Sequence, residues 1–119
     1  MYFLQWLLQQ LIELISTDKI KAAINTEVLQ EILYRYTAID KISLGFELFD
    51  TICRTFETIW PITKADLKLA RKLQEQYALK TRDAIHAATM THNQVQLLYS
   101  YDKAFDALPK IKRLVPGQT

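Results

Sequence analysis

The sequence predicts an α/β fold with a mainly parallel central sheet flanked by helices. Short apolar runs rich in β-branched and aromatic residues alternate with longer stretches of helical periodicity. Those runs are too far apart for hairpins, so their connections must be crossovers. The composition, 50% hydrophobic and 24% charged over 119 residues, suits one soluble domain spanning the chain that buries roughly two thirds of its unfolded surface.

In chain order, Leu7, Leu8, Leu11, Ile12 and Ile15 recur at helical spacing and predict an amphipathic helix from about Trp6 to Ser16. Ile20 to Ile24 reads as a short strand, after which Asn25 or Thr26 supplies a capping oxygen for the next helix. Val28, Leu29, Ile32, Leu33 and Tyr36 form its buried stripe, ending near Thr37 to Asp40. Leu44, Leu48, Ile52 and Cys53 predict another helix. Phe56 to Trp60 is a strand stopped by Pro61, which has no N–H to give the ladder. A helix from about Thr63 to Tyr77 follows, then one from Arg82 to about His92 capped by Thr81. Ala84, Ile85, Ala87, Ala88 and Met90 leave the latter little polar surface, so it must be buried. Val95 to Tyr99 is a strand, Lys103 to Leu108 a short helical turn, and Lys112 to Val115 a final strand.

Several function classes are excluded. The apolar opening is interrupted by Gln5, Gln9, Gln10 and Glu13, well short of the about 18 continuous apolar residues of a membrane span. No basic residue precedes Lys19, so a secretory signal is not expected. Cys53 is the lone cysteine, which forbids an intramolecular disulfide and fits a cytoplasmic location. With only Gly45 and Gly117, neither a phosphate loop nor a dinucleotide fingerprint can be built. His86 and His92 are off the i, i+4 ladder of a helical zinc site and read as surface or hydrogen-bonded helix residues. Charge is uneven: residues 1–60 carry 5 basic and 8 acidic side chains, residues 61–119 carry 10 and 5. The second half therefore suits a nucleic-acid partner, although solvated helix faces explain the same charges.

In an open parallel sheet the site lies beyond the carboxyl ends of the strands. Three acids fall there: Glu31 after the first visible strand, Asp83 in the first turn of the buried helix, and Asp102 after Val95 to Tyr99. Hard oxygen ligands brought together suit Mg²⁺ or Mn²⁺, which can activate water against a phosphodiester. Each acid also has a plainer explanation. Glu31 can pair with Arg35 one turn on, Asp83 meets the positive end of its helix, and Asp102 can cap the turn that follows.

The text around these acids narrows the choice. The stretches Ile24-Asn25-Thr26-Glu27-Val28-Leu29-Gln30-Glu31-Ile32-Leu33, Arg82-Asp83-Ala84-Ile85-His86-Ala87-Ala88 and Leu97 to Asp106 closely resemble three successive motifs of PIN domains. The likeness runs from about Ile15 to Pro116 and is greatest to the VapC-type toxins of toxin-antitoxin pairs, including the closing Leu108-Pro109 and Arg113-Leu114-Val115-Pro116. The resemblance implies a three-layer PIN-like fold and an endoribonuclease in which Glu31, Asp83 and Asp102 bind Mg²⁺ or Mn²⁺. Ser100 matches the small hydroxyl residue before the last aspartate. It further implies an RNA substrate, a cognate antitoxin and self-association into a homodimer or larger homo-oligomer. Arg82 or Lys103 would help to hold the RNA backbone.

One motif of the family has no counterpart. Its first strand ends in Asp-Thr-Asn or Asp-Ser-Asn, whereas the first aspartate here is Asp18, in a turn. Either Met1-Tyr2-Phe3-Leu4 is a degenerate first strand with Gln5 in the aspartate's place, or the strand is missing. Both readings remove one negative charge from the metal site. The alternative function is thus an inactive PIN-like remnant acting through antitoxin binding or self-association, with Leu7, Leu11, Tyr34 and Tyr36 as contact residues.

Overall fold

The protein is described here from a computed structural model, in which residues 23–100 and 102–114 are placed. The helix expected from Trp6 to Ser16, the Met1 to Leu4 run, Gln5, most of the Ile20 to Ile24 strand, and Val115 lie outside those residues. The chain divides between Pro61 and Ile62 into two compact units.

The first unit contains β1 (Ala23–Asn25), α1 (Thr26–Ala38), α2 (Ile42–Thr55) and β2 (Thr58–Trp60). The strands pair in parallel, with Ala23 opposite Thr58, Ile24 opposite Ile59 and Asn25 opposite Trp60. A parallel pair requires a crossover, which the two helices supply. Asn25 starts α1 by accepting a hydrogen bond from the Glu27 N–H through Oδ1 at 3.1 Å, and is itself buried. Ile32, Tyr36, Ile52 and Phe56 make the core, with Ile24, Val28, Leu29, Leu48, Phe49 and Ile59 packed around them. Full burial of one such aliphatic side chain contributes about 1.5–3 kcal/mol. The stripe on α2 is narrower than its apolar letters predict, since Leu44 and Cys53 are exposed.

Gly45 sets how closely α1 and α2 approach. A Cβ at that position would stand 2.6 Å from the Tyr36 Cβ and 3.1 Å from its Cγ. Between the helices the chain turns through Asp40 at φ 59°, and the Lys41 N–H returns to the Tyr36 carbonyl at 2.8 Å. Tyr36 is therefore a core residue, only 2% exposed. That corrects its expected role as a surface contact: its place one turn after Ile32 puts it on the buried stripe. Tyr34, two residues earlier, is 71% exposed.

The second unit contains α3 (Lys64–Tyr77), α4 (Thr81–His92), β3 (Leu97–Tyr99), a 3-10 turn (Lys103–Ala107) and β4 (Lys112–Leu114). Thr63 and Asp66 close a capping box at the start of α3: Thr63 Oγ1 accepts from the Asp66 N–H at 3.1 Å, and Asp66 Oδ2 from the Thr63 N–H at 3.0 Å. The buried Asp66 also meets His92 Nδ1 at the end of α4, so this histidine ties two helices together. Ala70, Leu79, Ala84, Ile85, Ala87, Ala88, Phe105 and Leu108 form the core. Small alanines on α4 let α3 and the 3-10 turn come close, which explains its nearly unbroken burial. Thr81 does not cap α4. It is the first helical residue, Lys80 precedes it in extended conformation, and Thr81 Oγ1 accepts from Gln74 Nε2 at 3.3 Å.

β3 and β4 are also parallel, with Leu97 opposite Lys112, Leu98 opposite Arg113 and Tyr99 opposite Leu114. Both strand pairs thus have the predicted direction. Among the described residues no helix is long and apolar enough to cross a membrane.

Candidate active site

The carboxyl end of β3 and the amino end of α4 bring two acids together. Beyond Tyr99 the ladder continues by one bond, from the Ser100 N–H to the Leu114 carbonyl at 3.1 Å. Ser100 Oγ accepts from the Asp102 N–H at 3.0 Å, and Asp102 Oδ1 accepts from the Ala104 N–H at 2.9 Å. This fastens Asp102 as the cap of the 3-10 turn. Asp83 sits in the first turn of α4, where the free N–H groups favour an acid. The alanines that sink α4 into the core carry Asp83 with them, so its carboxyl is half-buried.

Asp83 and Asp102 stand within side-chain hydrogen-bond reach. Burial first, then the negative charge of Asp102 and their shared hydrogen bond, push the Asp83 carboxyl up from 3.8 to about 6. Arg82 and Lys80 oppose that rise through their positive charges. Two carboxyls at one rim repel when both are ionised, and a divalent cation relieves the repulsion. Mg²⁺ is commonly bound through only one or two carboxylates, with other oxygens completing its shell. The donor set of Asp83 and Asp102 therefore fits such a cation.

Glu31 belongs to the first unit, on α1, where its carboxylate accepts from Arg35 Nε one turn on. Among the described residues no three His, Cys, Asp or Glu side chains form a group that could hold a metal ion. Arg82 is exposed on the first turn of α4, and Lys103 is exposed at the start of the 3-10 turn. Ser100 is half-buried, its oxygen turned to the Asp102 backbone. Gln5 lies outside the described residues.

A PIN domain family profile matches residues 6–111. The chain belongs to the PIN domain family. Among its PIN relatives, a VapC ribonuclease of Mycobacterium bovis and ribonuclease VapC13 of Mycobacterium tuberculosis are each 37% identical over 107 residues, covering 89% of this chain and 82% of theirs. The fold is similar to a chain in a toxin-antitoxin complex from Klebsiella pneumoniae, with a TM-score of 0.58 at 22% identity, covering 79% of this chain and 72% of that one.

Within this PIN domain, sequence reasoning missed Arg113. Its Nε and Nη2 donate to the two carboxylate oxygens of Asp106 at 2.9 and 3.0 Å, and Nη1 donates to the Ser100 carbonyl at 3.2 Å. The Asp106 carboxylate, through that hydrogen bond, holds the Arg113 guanidinium even above the usual arginine range, and the negative charge of Asp102 adds to the effect. The available signal was weak: an arginine in a β-prone run seven residues after an aspartate, which becomes a contact only once β4 folds back beside β3.

Proposed function

We propose that the chain is a Mg²⁺- or Mn²⁺-dependent endoribonuclease toxin of the VapC type, held in check by a cognate antitoxin. The observation that carries this reading is the convergence of Asp83 and Asp102, at the positions the family motif assigns to metal ligands, with the Asp83 carboxyl pushed up first by burial and then by the charge of its neighbour. Identity of 37% to two VapC ribonucleases supports the chemistry and the substrate class.

Asp83 and Asp102 would hold the cation, with Glu31 the third ligand that the motif assigns. Bound there, Mg²⁺ or Mn²⁺ supplies Lewis-acid stabilisation of a phosphodiester's developing charge and activates water as the nucleophile. The protein's own contribution is positional. The Ser100 and Ala104 contacts aim the Asp102 carboxylate, and α4 fixes Asp83 against it. A cation held there would favour the ionised form of Asp83, against the burial and the Asp102 charge that raise its carboxyl. Arg82 and Lys103, exposed on either side of the pair in sequence, would neutralise RNA phosphates without reading bases. The proposed location is the cytoplasm, where cellular RNA is found. The assembly is proposed to be a homodimer or larger homo-oligomer.

Cleavage of single-stranded RNA with and without Mn²⁺ tests this reading. The unaltered chain is expected to cut only with metal, and Asp83→Asn and Asp102→Asn to lose activity by about 10²-fold or more, corresponding to roughly 2.7 kcal/mol or more of transition-state stabilisation. Glu31→Gln distinguishes a ligand from half of an ion pair with Arg35. Equal cleavage by all of these chains would remove the site. No cleavage by the unaltered chain, with antitoxin binding retained, would leave the binding-only remnant.

A further inference from the structure

We propose that Arg113 is a positioning residue for Asp102, gripping the loop that carries it on both sides. This inference rests on the reading of Asp83 and Asp102 as a cation site. Asp102 is exposed, and it is held by its hydrogen bonds to Ser100 and Ala104. The Arg113 guanidinium binds that segment twice, two residues before Asp102 through the Ser100 carbonyl and four residues after it through both Asp106 oxygens. Arg113 is itself held by the β4 ladder, where it lies opposite Leu98. The strand pair thus serves as a frame, and the planar fork ties Ser100 and Asp106 to it. Arg113 is 13% exposed at its side chain and Asp106 is 54% exposed, so the fork lies against the protein with its acid partner at the surface.

Lysine keeps the charge of Arg113 but cannot make three directed bonds in one plane. Arg113→Lys is therefore expected to weaken Mn²⁺ binding, read by calorimetry or by the Mn²⁺ electron paramagnetic resonance signal, by about 10-fold. That is the lower end of what loss of an outer-shell partner does to a metal site. RNA cleavage is expected to fall in kcat with KM changed less than about twofold, and to recover at higher Mn²⁺, since the ligands themselves remain. Asp106→Asn breaks the same grip from its exposed side without disturbing β4. It should reproduce the loss, and combining it with Arg113→Lys should add little further.

Mn²⁺ affinity within twofold of the unaltered chain in both Arg113→Lys and Asp106→Asn would overturn the proposal. So would a lowered affinity in Arg113→Lys that Asp106→Asn does not share. If the unaltered chain binds Mn²⁺ but cuts no RNA, the ribonuclease reading fails while the affinity comparison still decides the role of Arg113. A chain that binds no Mn²⁺ overturns both.

Discussion

At Asp83 the site states its own requirement. The carboxyl is raised to about 6 against 3.8 when unperturbed, first by burial and then by Asp102. The protonated form is favoured by folding, so its contribution to stability is fully present below the unfolded value and is lost as pH rises through the folded one. In metal-free buffer, the part of the melting temperature due to this group is expected to fall between about pH 4 and about pH 6. A divalent cation should reverse the trend, raising the melting temperature more at pH 7 than at pH 4. Calorimetric melts of the unaltered chain and Asp83→Asn check both, since the variant should lose the carboxyl's share of the pH dependence. Tyr36 gives a simpler case. Burial raises its phenol's pKa, and its hydroxyl has no hydrogen-bond partner among the described residues. Tyr36→Phe is expected to hold or raise stability in urea by up to about 1–2 kcal/mol, because an unpaired buried hydroxyl is removed with no change of shape. A loss above about 1 kcal/mol would mean that the hydroxyl is paired in solution. Asp83 and Asp102 were visible as letters because each follows an element boundary, whereas Arg113 was not. Its partners are 7 and 13 residues away, and only the β3–β4 register makes them neighbours.

Among the elements, α1 and α2 are tied to one glycine. Gly45→Ala should improve helix propensity by about 1 kcal/mol, but the added carbon would stand 2.6 Å from the Tyr36 Cβ. That atom is fixed by the backbone and cannot swing aside. The clash should win, leaving the variant less stable by about 1–3 kcal/mol in denaturant titrations; an increase in stability would show that the helices separate freely. Periodicity located every described helix within a few residues, because each carries an apolar stripe that must face a core. Strand ends were less legible. Val95 and Gln96 read as strand, yet the ladder begins at Leu97, after a left-handed turn at Gln94 whose following N–H returns to Met90. With two glycines in the chain, such turns fall on Asp40, Ala78 and Gln94, and no glycine marks them in the sequence. Cap chemistry was misread at Thr81 because a threonine before a helix resembles a cap, while Gln74 on α3 claims its hydroxyl.

Over the whole molecule, the charge gradient predicts how the proposed RNA binding answers to salt. The half that carries Asp83 and Asp102 has a formal excess of five positive charges. Log affinity for single-stranded RNA should fall linearly with log salt, with a slope of about −0.7 per phosphate neutralised. On an Asp83→Asn background, which keeps the RNA intact, Arg82→Ala should make the slope shallower by about 0.7 and weaken binding about equally for all sequences. Fluorescence anisotropy at several salt concentrations reads both, and an unchanged slope would remove Arg82 from the RNA path. The same two-unit layout gives the solitary thiol a use. Cys53 is exposed on α2, in the unit that lacks the aspartate pair, so a trifluoromethyl tag can be attached there without altering the unit that carries the two acids. Relaxation of its ¹⁹F resonance by paramagnetic Mn²⁺ would then turn one cysteine into a ruler between the halves of the protein.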